Sequence, residues 1–168
     1  PDQYEYISRW YYPAIREMVS FPTFCNDPHW IVSELGGRIS LKQAKEAMET
    51  LLKLGLIAVN ENGKIHQTEA NLMTEDDIAH IGAYNFHQNM LSMAKEILAT
   101  TEGHEREFSG VTIAVSDRQY KEIRRRVREF EDSVLRYVAE QQEVPESVFQ
   151  LNFQLFSVTN RRKKHEAA

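Results

Sequence analysis

The densest grouping of reactive side chains is KEIRRRVRE, where Lys121, Arg124, Arg125 and Arg128 stand at i, i+3, i+4 and i+7. On a helix these four share one face, and gathered ammonium and guanidinium donors suit a phosphate or an acidic nucleotide. Glu122, Glu129, Glu131 and Asp132 lie within pairing reach along the same stretch, which also makes the segment read as a salt-bridged, solvated surface. A second grouping is Ser40, Lys42, Gln43, Lys45 and Lys64, spaced as a recognition helix and the turn after it would space contacts to duplex DNA.

The remaining constellations are thinner. Cys25 precedes His29 by four residues in a Pro-flanked loop, a thiol–imidazole pairing with no third group or oxyanion signal beside it. Asp76, Asp77 and His80 make a weak metal set, and neither HExxH nor Cys-rich spacing occurs, so no metal and no cofactor are expected. His87, with Tyr84 near it, reads as a hydrogen-bonded, partly buried histidine. A phosphate-cradling loop, a dinucleotide glycine pattern and GxSxG are all missing, and no enzymatic activity is expected.

The elements that must carry these residues are legible from capping and periodicity. PDQYEYISRWYYPAIREM holds five aromatic residues in its first twelve, and Pro13 separates a short helix from one starting near it. Those rings form either a cap on the core or a docking surface. Asp27 and Pro28 start a helix that Gly36-Gly37 ends. Ser40 and Gln43 are spaced as a capping box for the next helix, whose expected buried stripe is Leu41, Ala44, Met48, Leu51 and Leu52, with Gly55 as its terminator. LIAVNENGKIHQ reads as a hairpin around Asn62-Gly63. Helix, turn, helix, hairpin is the order of a winged helix-turn-helix.

Past Thr74, a cap candidate, the spacing predicts a helix over 75–99, and the polar run 100–107 is the best internal boundary. Val111, Ile113 and Val115 alternate as a strand does. Ser116 and Gln119 form another capping box, for a helix with the stripe Tyr120, Ile123, Val127, Phe130, Val134 and Tyr137. Phe149, Leu151, Phe153 and Leu155 alternate in a second strand. Strand, helix, strand is a βαβ unit, and two strands need further strands from the hairpin or from another subunit. The fold class is thus α+β. Residues 1–26 are aromatic N-terminal helices, 27–74 a winged-helix-like module, 75–99 a long connecting helix, 100–160 the βαβ module and 161–168 a basic tail.

Composition bounds the use of these parts. The 168 residues are 42% hydrophobic and 27% charged, enough for a real core, and the net charge of −5 disfavours autonomous nucleic-acid binding and acidic substrates. Over 27–70 five basic side chains meet six acidic ones, and the face opposite the apolar stripe mixes Lys42, Lys45 and Lys53 with Glu46 and Glu49. Such a face neutralises itself. One cysteine allows no internal disulfide and suits a reducing, cytoplasmic setting, and no apolar run approaches the ~20 residues of a membrane span. The chain begins at Pro1 instead of Met, as a processed or excised piece would.

YYPAIREM, LKLGLI followed by NGK, FHQNMLSMAKE, REFSGVTIAVS and VFQLNFQLFSVT, in this order from about Tyr4 to Thr159, resemble a domain-of-unknown-function family of bacterial proteins. That family occurs as many paralogues in predatory and fibre-degrading bacteria, commonly after an N-terminal helix-turn-helix of the phage-repressor type. The resemblance implies the C-terminal half of a transcriptional regulator, a homodimer whose upstream DNA-binding domain is missing here, mediating dimerisation, protein contact or signal sensing. It implies no catalytic residue. The alternatives are direct duplex-DNA binding through Ser40, Lys42, Gln43, Lys45 and Lys64, and sensing of a small anionic ligand or nucleotide through the arginine face.

Overall fold

A computed structural model describes residues 2–70 and 76–160, with side chains in the long helix from residue 81 onward. Thr74 and the tail at 161–168 lie outside the described residues. The chain is mixed α and β, with helices α1 (Asp2–Ser8), α2 (Tyr11–Met18), α3 (Pro28–Glu34), α4 (Leu41–Lys53), α5 (Asp76–Thr100) and α6 (Asp117–Gln141). Strands β1 (Ile57–Val59) and β2 (Ile65–Gln67) pair antiparallel, Ile57 with Gln67 and Val59 with Ile65. Contacts divide the chain into a first unit, 1–109 with 144–149, and a second unit, 110–143 with 150–168.

The first unit is built around one core. Ile15 and Met18 of α2, Ile31 of α3, Leu51 of α4, and Leu56 and Ile57 at β1 are fully buried, and Tyr11 and Tyr12 join them. Tyr6 and Trp10 pack against the outside of this cluster, so the aromatic N-terminus caps the core. Pro13 is the third residue of α2, where its missing N–H falls among amides that have no helical partner anyway. Asp27 accepts a hydrogen bond from the His29 N–H at 3.0 Å and starts α3.

Helix α4 begins with the expected capping box: Gln43 N–H donates to Ser40 Oγ at 3.2 Å and Ser40 N–H to Gln43 Oε1 at 2.9 Å. Its buried face is Ala44, Ala47, Met48 and Leu51, whereas Leu41 and Leu52 stay exposed. The spacing i, i+3, i+4, i+7 keeps the first four on one stripe; Leu52 is rotated about 100° past Leu51, and Leu41 occupies the end turn. After α4, Gly55 takes φ +69°, a left-handed cap that L side chains rarely adopt, while Leu56 N–H returns to Leu51 O at 3.0 Å. The hairpin turn is longer than the two-residue form expected at Asn62-Gly63. It spans 60–64, with Asn60 Oδ1 accepting from the N–H groups of Asn62 and Lys64 at 3.0 and 2.9 Å, an Asx-type turn.

Helix α5 lies on α1. Asn85 Nδ2 donates to Tyr4 Oη at 2.8 Å, Asn89 Nδ2 to Ser8 O at 3.4 Å, and Met90 is buried. Farther along, Arg38 pairs with Glu96 at 3.0 Å.

In the second unit α6 carries the capping box of Ser116 and Gln119, at 2.9 and 3.3 Å, and ends at Gln142 in the left-handed region. The strands expected at 111–115 and 149–155 are not in a ladder: among the described residues the sheet is β1 with β2 alone. Residues 106–116 and 142–157 are free of helix, turn and bend, but no backbone–backbone hydrogen bond joins 110–115 or 150–156 to another strand. A strand exists only through its neighbour, and the described residues offer those segments none.

Candidate functional site

The candidate DNA-reading residues come together on the outer side of α4 and on the hairpin, but most are already engaged. Lys42 Nζ stands 3.6 Å from Glu46 Oε1 and Lys45 Nζ 4.0 Å from Glu49 Oε1, both i,i+4 pairs on the exposed face. Lys53 reaches Asp2 at 2.5 Å, and this ammonium holds the Asp2 carboxyl below its ordinary range, chiefly by its hydrogen bond. The Ser40 hydroxyl and the Gln43 carbonyl oxygen close the capping box on each other. Only Lys64, in the hairpin turn, has no ion pair among the described residues. A major-groove reader presents unpaired donors on this side, and here opposite charges meet within the helix instead.

Arg16 was not signalled by any spacing, and it sets the pose of the hairpin. From α2 its Nη2 donates to Thr68 O at 2.8 Å and its Nε to Leu56 O at 3.4 Å, one carbonyl at each end of the hairpin. Gln67 Nε2 returns a bond to Arg16 O at 2.7 Å. A planar cation with several donors suits this use, because it joins carbonyls that two separate side chains would otherwise have to meet. A lone arginine on a short amphipathic helix carries no sequence signal for a partner some 40 to 52 residues away.

On α6, Lys121, Arg124, Arg125 and Arg128 line one shallow depression together with Glu129 and Asp132. Arg125 is occupied: its Nη2 bonds Glu122 at 2.7 Å, and a second bond goes to Glu129. Arg126 bonds Glu122 at 2.9 Å. Held by Arg125 and Arg126, the Glu122 carboxyl is lowered to about 2, and Arg125 is raised in turn by the same hydrogen bond. Lys121, Arg124 and Arg128 make no ion pair among the described residues; Arg124 stands over the Tyr120 ring at 5.9 Å. The depression therefore offers three cations next to two carboxylates.

Elsewhere, Cys25 is exposed, and no hydrogen bond joins it to His29 among the described residues. The side chains of Asp76, Asp77 and His80 lie outside the described residues. His87, expected to be half-buried and hydrogen-bonded, is exposed and stands edge-on to Phe86 at 5.8 Å. With Tyr6, Ile7, Pro13, Ala83 and Phe86 it lines an open apolar hollow of the first unit. Burial raises the Tyr6 phenol there, opposed by the nearby Arg16 cation.

No helix of the described residues is long and apolar enough to cross a membrane. No curated protein and no solved structure matches this sequence. One family model does, described as a domain of unknown function, and its match runs over residues 1–158. With nearly the whole chain inside that match, the protein belongs to the DUF4423 family.

Proposed function

We propose that this chain is a non-enzymatic regulatory domain of a bacterial transcriptional regulator, acting by dimerisation and protein contact. In this reading α3, α4 and the β1–β2 hairpin are a winged helix used as a structural part, and a separate upstream helix-turn-helix reads the bases. The observation that carries it is the pairing of Lys42 with Glu46 and of Lys45 with Glu49 on the face that a DNA reader keeps free. A helix whose cations are matched four residues on has little left for phosphates, and a chain of net charge −5 adds no general attraction to a polyanion.

Gel retardation with duplex DNA tests the reading. The intact chain leaves DNA mobility unchanged from low to physiological salt, and Lys42→Gln with Lys45→Gln behaves identically. Salt-sensitive retardation that the double substitution weakens would overturn the proposal in favour of direct DNA binding.

A further inference from the structure

The second unit has a feature the first lacks: none of its described residues is buried. The stripe of α6 runs Tyr120, Ile123, Val127, Phe130, Val134, Tyr137, alternating steps of three and four as in a heptad seam. Phe130 meets Phe153 edge-on at 5.8 Å, yet both rings stay exposed, as do Tyr137 at 63%, Leu135 at 70% and Phe156 at 73%. Val111, Ile113, Val138, Leu151 and Leu155 are exposed as well. The rings of Phe130, Tyr137, Phe153 and Phe156 alone leave roughly 400 Å² open, taking about 200 Å² for a whole ring, and the aliphatic residues extend the surface. A stable interface takes roughly 800 Å² from each partner, so these rings supply about half of it.

Charge says what covers it. In the heptad frame of the stripe, Arg124 and Glu131 occupy the same flank, and neither makes an ion pair among the described residues. Placing a second α6 antiparallel, with Val127 opposite Phe130 of the other copy, also sets Ile123 opposite Val134 and Tyr120 opposite Tyr137. The same arrangement brings Arg124 of each copy to Glu131 of the other, twice by symmetry. A parallel seam would instead ask Arg126 to serve Glu131, but Arg126 is held by Glu122 at 2.9 Å. Antiparallel helices also place opposite dipole ends together.

We infer that the apolar face of α6 is the contact for a second copy of this chain, antiparallel, with reciprocal Arg124–Glu131 pairs. Residues 110–115 and 150–156 belong to the same unit and bring backbone N–H groups without backbone partners among the described residues, so the second copy also supplies strand neighbours. The inference rests on the regulatory reading, whose dimerisation it assigns to one face.

Sedimentation equilibrium of the intact chain tests it. The wild-type chain sediments at twice its 19.6 kDa mass. Arg124→Glu and Glu131→Arg each raise the dimer dissociation constant by about tenfold or more, and the two together return it to near the wild-type value, a rescue that only a direct pair produces. Both are exposed surface changes, so each variant is confirmed folded by circular dichroism. A monomer at all concentrations, or a dimer indifferent to both reversals, overturns the inference. A monomer at all concentrations with unretarded DNA removes dimerisation from the regulatory reading and leaves protein contact, and an indifferent dimer with unretarded DNA leaves that reading standing, whereas a rescued dimer that retards DNA removes that reading and keeps the interface.

Discussion

Ile7 of α1 packs directly onto the backbone of Gly82 in α5: a Cβ built on that glycine stands 2.4 Å from Ile7 Cγ1 and 2.6 Å from Cδ1. The helices touch there because the glycine has no side chain, and Tyr4–Asn85 and Ser8–Asn89 continue the contact along α5. Within α5 a glycine costs about 1 kcal/mol relative to alanine, so close approach explains its presence where helix propensity does not.

Gly82→Ala consequently lowers stability in spite of its better helix propensity. Overpacking costs about 1–3 kcal/mol against the gain of ~1 kcal/mol from propensity, for a net loss near 1 kcal/mol in urea denaturation. In an Ile7→Ala background the same change becomes neutral or stabilising. An equal effect in both backgrounds would show that Ile7 is not the obstacle.

The Arg16 clasp predicts a loss that charge alone cannot restore. Replacing Arg16 with Leu leaves the Thr68 carbonyl without its side-chain donor and the Leu56 carbonyl with the Thr68 N–H alone, and costs about 1.5–3 kcal/mol, the range for hydrogen bonds to charged groups. Lysine keeps the charge but carries all its donors on one nitrogen and lacks the spread of Nε and Nη2, so Arg16→Lys recovers less than half. Amide exchange at Thr68, whose N–H donates to Leu56 O at 3.1 Å, rises in both variants. Unchanged exchange would place the hairpin's anchorage elsewhere.

Acid titration isolates the α6 surface. Glu122 is lowered from 4.5 to about 2, so its stabilising contribution is complete above its ordinary pKa and is lost as the pH falls through about 2. The helical signal of α6 therefore declines between about pH 4.5 and 2, the window bounded by those two values. Glu122→Gln flattens that part of the curve. The carboxylate is partly exposed to solvent, so salt near 1 M erases the difference between wild type and variant. Identical acid profiles at low salt would reject the Glu122–Arg125–Arg126 cluster as a source of helix stability.

Local signals carried the helix starts of both units well. Ser40 with Gln43 and Ser116 with Gln119 bond as their spacing says, because a capping box is completed within four residues. Gly55 marks the end of α4 for the same reason. The long-range features were not readable: Arg16 on Thr68, Ile7 on Gly82 and Arg38 on Glu96 each depend on how finished elements meet. The alternation at 111–115 and 151–155 is a real pattern, but pairing needs a neighbour, and periodicity within one chain cannot name it. The candidate DNA face was legible in its residues, and its charge balance was legible too, since Lys42–Glu46 and Lys45–Glu49 are pairs four apart.

The Arg16 clasp has a further consequence for how freely this hairpin can diverge. Arg16 grips the main-chain carbonyls of Leu56 and Thr68, atoms that every amino acid supplies, and no side chain of the turn. Residues 61, 62 and 64 can therefore be rewritten with the orientation of β1 and β2 preserved, while replacing Arg16 loosens both ends of the hairpin. A family built on this arrangement can display many different turn tips from one fixed mount, and selection on the tip is uncoupled from selection on the fold.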